Sequence, residues 1–177
     1  MIQTYVILLR GVMPIGKNKV PMAELRKALT SAGLLNVQTY IQTGNVVAQS
    51  EHPQSTIEQM VHQAIMNQIG AEIIVIARDA TTFNTIFSNN PIHTVDSSKV
   101  YFSIPQQPFD TQLLDAFIKQ DFSPDAVQVV DNVLYTQYAT KYSDSKWNNN
   151  FFEKQLNVSI TTRNYNTMKK LVELSST

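Results

Sequence analysis

Three polar stretches hold the side chains that could do chemistry. The first runs from Arg10-Gly11 to Gly16-Lys17-Asn18-Lys19, after an apolar run and before a helical pattern. Backbone N–H groups and a helix N-terminus at such a place can receive an anion, with Arg10 and Lys17 to hold its charge and Asn18 to orient it. The second is Thr39-Tyr40-Ile41-Gln42-Thr43-Gly44-Asn45-Val46, where two extended runs meet. Gly44-Asn45 suits the positive φ of a tight hairpin, while Gln42, Thr43 and Asn45 together exceed what chain reversal needs. Two readings stay open there, a hydrogen-bonded turn and a ligand-contacting loop. The third is Thr161-Thr162-Arg163-Asn164-Tyr165-Asn166-Thr167. Thr162 or Asn164 can cap a last helix, which leaves Arg163 and Asn166 without a structural task, and an arginine beside helix N–H groups attracts carboxylate or phosphate.

Catalytic chemistry has less support. The chain has no cysteine, which removes thiol nucleophiles, thiolate metal sites and disulfides together. His52, His62 and His93 are scattered without ligand spacing, so no metal is expected, and no cofactor is indicated. The polar stretches hold almost no carboxylate to act as a general base, and the first loop lacks the spacing of a phosphate-binding P-loop. Ser143-Asp144-Ser145-Lys146-Trp147 reads as a cap followed by a packing tryptophan. Binding fits these residues better than catalysis.

The elements that must position them follow from periodicity. Met1 to Leu9 reads as a strand buried on both faces, and Pro21 starts a helix that Gly33 ends. Strands near 36 to 42 and 45 to 49 form a hairpin, Ser55 to Ile69 is a helix stopped by Gly70, and Glu72 to Ala77 is a strand. That order, β-α-β-β-α-β, is the split βαβ pattern of a ferredoxin-like unit. It recurs after a short helix capped by Asp79. A strand at Val100 to Ile104, a helix at Thr111 to Lys119 and a hairpin turned at Asp131-Asn132 come first. A helix from Ser145 to Leu156, a strand at Val158 to Thr161 and a helix from Asn164 to Leu174 complete it. The expected fold is α+β with two ferredoxin-like halves packed together, residues 1–77 and 78–177, the second including the connecting and terminal helices.

With 43% hydrophobic and 16% charged residues in 177, the chain is neither disordered nor membrane-bound in composition. Ile2 to Leu9 is too short for a signal or a membrane span, so a cytoplasmic location is expected. The zero net charge conceals a pattern. Residues 1–50 carry five bases against one acid, residues 51–138 three against ten, and the remainder six against three. Ends brought together in space would make a basic face.

The three motifs, together with Val20-Pro21-Met22 after the first, resemble the bacterial family known as domain of unknown function 1697. The resemblance spans the chain and implies the same two-halved α+β fold, with no activity to carry over. Where that family usually has Asn, Gly and Ser, this chain has Met13, Ile15 and Thr43, which leaves its first loop less able to wrap an anion. The leading expectation is a small anionic ligand held between the halves by Arg10, Lys17, Asn18, Gln42, Asn45, Arg163 and Asn164. Nucleic-acid binding ranks lower, because the strands are mostly aliphatic and the acidic middle repels a polyanion. An enzyme acting on a phosphorylated substrate would use the same loops, and a purely internal scaffold would use them only to lock the halves together. Oligomeric state is not legible.

Overall fold

Tyr5 to Leu9 is an unbroken apolar run, and in the computed structural model, which describes residues Met1–Thr177, it forms the middle of strand β1, Gln3–Arg10. All five side chains are buried, as a strand covered on both faces requires. β3 (Asn45–Ser50) and β4 (Ile74–Asp79) flank β1 antiparallel, and β2 (Leu35–Tyr40) completes a sheet of order β2-β3-β1-β4. The β2–β3 pairing breaks register between Leu35 and Gln38, where Asn36 has a φ of 51°.

Helices α1 (Met22–Ser31) and α2 (Gln54–Gln68) cover one face of this sheet, where Leu25, Leu29, Ile57, Val61 and Ile65 share a core with Tyr5, Ile7 and Leu9. Pro21 and Pro53 stand just before the first helical residues, and neither helix has a side-chain cap at its start. α1 ends as its glycine implied. Gly33 adopts a φ of 103°, its N–H reaches the Thr30 carbonyl at 3.1 Å, and Leu34 N–H reaches the Leu29 carbonyl at 3.1 Å, the paired bonds of a Schellman motif.

The order then repeats. Asp79 caps α3 (Ala80–Ser88) by accepting from Thr82 N–H at 2.9 Å. β5 (Val100–Pro105), α4 (Thr111–Phe117), β6 (Ala126–Val130), β7 (Val133–Gln137), α5 (Asn149–Leu156), β8 (Ile160–Asn164) and α6 (Tyr165–Ser175) follow. The second sheet, β6-β7-β5-β8, has the strand order of the first. Its β6–β7 turn places Asp131 and Asn132 at φ values of 47° and 61°, the left-handed pair that a two-residue type I′ hairpin needs. Phe117, Leu134, Trp147, Phe152 and Leu156 form a core on one face. Phe87 of α3 stacks on Phe102 with ring centroids 5.8 Å apart. The protein is therefore α+β with two ferredoxin-like halves. By compactness it divides into Met1–Asn84 with Leu171–Thr177, and Thr85–Lys170.

Two elements differ from expectation. α5 starts at Asn149 rather than Ser145, because Asn148 accepts from Phe151 N–H at 3.0 Å and so caps the helix. Ser145 is engaged elsewhere, accepting from Trp147 N–H at 3.0 Å and donating to Asp125 at 2.7 Å. β8 extends to Asn164, so Arg163 lies in a strand opposite Phe102 and not at the start of a helix.

β4 and β8 end their sheets, so each has outward backbone groups that need partners. α2 supplies partners at β4 and just before it: Glu58 Oε1 accepts from Ala77 N–H at 2.9 Å, and His62 Nδ1 lies 2.7 Å from the carbonyl of Ile73, the residue preceding the strand, which only accepts and so requires the proton on Nδ1. α5 does the same for β8. Asn149 Nδ2 donates to the Ile160 carbonyl and Glu153 Oε2 accepts from Ile160 N–H, both at 2.8 Å. In each helix the two side chains are four residues apart, one above the other on a single face.

Glu58 Oε1 also lies 3.8 Å from Arg78 Nη1, yet desolvation outweighs this attraction and the Ala77 bond, and raises the Glu58 pKa above its ordinary 4.5. A carboxyl with a raised folded pKa binds its proton more tightly in the native state, so its contribution to stability declines as pH rises. Urea denaturation should show Glu58→Ala losing about 1–3 kcal/mol, the cost of an unpaired strand N–H, and Glu58→Gln recovering most of it. The stability of the native protein relative to Glu58→Gln should fall as pH rises above 4.5 and become flat beyond the raised folded value.

Candidate functional site

β1 delivers the chain at Arg10, which stands opposite Ile74 of β4 and is half-buried. The next residues fold back on themselves: Met13 N–H reaches the Asn18 carbonyl at 2.9 Å, and Lys19 N–H reaches the Gly16 carbonyl at 3.2 Å. At the same end of the sheet, residues 41–44 join β2 to β3. The left-handed residues of this turn are Ile41, φ 50°, and Gly44, φ 86°, whereas Asn45 is the first residue of β3.

Asn45 is fully buried, and its Nδ2 donates to the Tyr40 carbonyl at 3.2 Å and to Thr43 Oγ1 at 2.9 Å. Its amide closes the turn, as the hydrogen-bonded reading requires. Gly44 brings the two loops together. Its carbonyl accepts from Leu9 N–H at 2.8 Å, and a Cβ on Gly44 would lie 2.6 Å from Leu9 Cβ and 3.0 Å from Val12 Cγ2. Only a residue without a side chain permits this approach. Arg10, Lys17, Asn18 and Gln42 thus belong to two adjoining loops, with Lys17 and Gln42 exposed and Asn18 half-buried.

Arg163 and Asn164 belong to the second unit. Asn164 is exposed, and its Oδ1 caps α6 by accepting from Thr167 N–H at 2.9 Å. Arg163 donates to Thr161 Oγ1 at 2.6 Å and to the Thr162 carbonyl at 3.1 Å within its own strand, so it has the structural task that the sequence left unassigned. Burial lowers its guanidinium pKa to about 10, which still leaves it charged at neutral pH.

The second half repeats the loop arrangement with the opposite charge. The residues after β5 are tied to the β6–β7 turn by a side-chain bond, Phe109 N–H donating to Asn132 Oδ1 at 3.1 Å, where the first half uses the backbone bond from Leu9 to Gly44. The charged residues there are Asp131 and Asp110, the latter capping α4 by accepting from Gln112 and Leu113 N–H, and no base stands among them. The fold therefore does not require bases at this position.

Sequence reasoning missed an apolar rim on the first-unit loops, Met13, Ile15 and Ile41 being 53%, 77% and 47% exposed. Ile41 reads as a strand hydrophobe until its left-handed φ turns it outward. No three histidine or carboxylate side chains come together in a way that could hold a metal ion.

Residues 2–135 match the family described as Protein of unknown function (DUF1697). The chain belongs to this family. The matched segment of this DUF1697 chain contains both first-unit loops and ends before Arg163 and Asn164. Among solved structures, the conserved bacterial protein SP0830 from Streptococcus pneumoniae is similar, with a TM-score of 0.79 and 21% identity over 99% of each chain, which shows a shared fold. No curated protein matches the sequence. No helix is long and apolar enough to cross a membrane.

Gly44→Ala should lose about 2–4 kcal/mol in denaturant titration, combining left-handed strain with overpacking against Leu9. Arg163→Ala should lose about 1–3 kcal/mol by the same measurement, because the buried Thr161 hydroxyl forfeits a charged donor.

Proposed function

We propose that this chain binds a small anion, a phosphate or carboxylate group, at the adjoining loops 10–19 and 41–45 of its first unit. Arg10 and Lys17 hold the charge, Asn18 and Gln42 orient the ligand, and Asn45 keeps the turn in shape behind them. What supports the reading is the difference between two corresponding ends: the first carries Arg10, Lys17 and Lys19, while the second carries no base, only Asp131 and the helix-capping Asp110. Packing explains the turn and its buried asparagine. It gives no reason for the exposed Lys17 and Gln42 on these loops.

Arg163 and Asn164 make bonds within their own strand and helix, and the proposal does not depend on them. A cytoplasmic location accompanies the reading.

The test is a thermal-shift and calorimetric screen of the full chain against inorganic phosphate, sugar phosphates, small carboxylates and short oligonucleotides. A ligand at about 100 times its dissociation constant should stabilise the fold by about 2.7 kcal/mol. That gain should disappear in Arg10→Ala/Lys17→Ala. A silent screen, or a response unchanged in the double variant, overturns the proposal. A response confined to oligonucleotides and falling steeply with salt would make the protein a nucleic-acid binder instead.

A further inference from the structure

The second unit contains a groove of about 540 Å³ that none of the three polar stretches enters. Its walls include Lys99 and Tyr101 at the start of β5, and Thr140, Lys141, Tyr142 and Asp144 from the segment between β7 and α5. Tyr101 and Tyr142 stack on each other with ring centroids 5.0 Å apart and planes 24° apart, and both rings meet Tyr138 edge-on. Tyr138 is buried, so it anchors the pair from beneath while Tyr101 and Tyr142 remain half-exposed.

Packing accounts for the rings and not for the polar groups around them. The Tyr142 oxygen accepts from Asn149 N–H at 2.8 Å, which leaves its own hydrogen to donate. Burial raises the Tyr142 pKa, so that hydrogen is retained at neutral pH. The Tyr101 hydroxyl, the Lys141 ammonium and the Asp144 carboxylate have no hydrogen-bond partner within the protein, and Lys99 reaches the Ala139 carbonyl at 3.4 Å and attracts the Asp96 carboxylate. Two cations, two phenol donors and one carboxylate thus surround an aromatic wall in a space of small-ligand size.

We infer that this groove is a binding site for a mononucleotide, a planar base joined through a sugar to a phosphate. The phosphate meets Lys99 and Lys141, the base lies against the tyrosine pair, and the sugar hydroxyls donate to Asp144 or pair with Thr140. Each part of the ligand answers a different group in the groove, so phosphate alone and nucleoside alone bind less well than the two joined. The site is independent of the first-unit loops and stands or falls without them.

Titration calorimetry of the full-length Arg10→Ala/Lys17→Ala protein, whose first-unit loops lack the cations proposed to hold phosphate, with adenosine 5′-monophosphate, adenosine and inorganic phosphate tests this, the Lys141 and Tyr101 substitutions being added to that background. The nucleotide should bind saturably and more tightly than either fragment. Lys141→Glu, on an exposed side chain with no partner, should weaken it about tenfold by exchanging attraction for repulsion. Tyr101→Phe should weaken it by a smaller factor, with an unchanged melting temperature in both variants as the check on folding. Three results overturn the inference: no nucleotide binding at millimolar concentration, nucleotide affinity unaffected by Lys141→Glu, or inorganic phosphate binding as tightly as the nucleotide.

Discussion

A four-stranded sheet closed by its last strand leaves that strand with one row of backbone groups facing away from its partner, and this protein is arranged around satisfying those rows twice. Glu58 and His62 do it at β4 and just before it, Asn149 and Glu153 for β8. The solution requires two polar side chains one helical turn apart, at the margin of a helix whose neighbouring face is apolar. It therefore helps core packing to fix the rotation of α2 and α5 about their axes. Once these helices are fixed, Ile57, Val61 and Ile65 in one half and Phe152 and Leu156 in the other can only point at their sheets.

The halves share this device without sharing its residues, which explains why the repeat is visible in element order and not in sequence. A histidine and a glutamate serve one edge, an asparagine and a glutamate the other. The chemistry of a backbone N–H and C=O constrains the type of partner, an acceptor and a donor, and leaves its identity open. The same separation applies at the loop ends. Gly44 meeting Leu9, and Asn132 meeting Phe109, fulfil one geometric need, while the surrounding charges, basic in one half and acidic in the other, are free of it. A residue type that varies where the fold is constant is where function has room to act.

Much of this architecture was legible because it rests on local chemistry. The Asp131-Asn132 hairpin, the glycine end of α1 and the Asp79 cap each depend on side chains within a few positions of the backbone they serve. Less legible were features decided by distant partners or by competing local ones. Ser145 and Asn148 are both capping residues, and Asp125, twenty positions before Ser145, settles which becomes the cap. Ile160–Asn164 is short and largely polar, so only its pairing with β5 makes it a strand and takes Arg163 out of the helix. At the candidate site, the residues of the two loops were legible and their adjacency was not. Asn45 looked like a ligand contact because nothing in the sequence reveals that its amide is spent on Tyr40 and Thr43. The tyrosine and lysine groove escaped notice because Tyr101 and Tyr142 lie far apart in the chain.

The break in register between Leu35 and Gln38 bears on how an exposed sheet edge would receive a strand from another copy. Helices occupy the β4 and β8 edges, so strand addition between molecules is left to β2 and β6. On β2 the left-handed Asn36 interrupts the regular alternation of outward N–H and C=O groups that an incoming strand would have to match. β6 is only five residues long and is bounded by Asp125 and Asp131, so two such edges meeting antiparallel would set carboxylate against carboxylate. Both open edges thus carry features that oppose the addition of a strand from another copy.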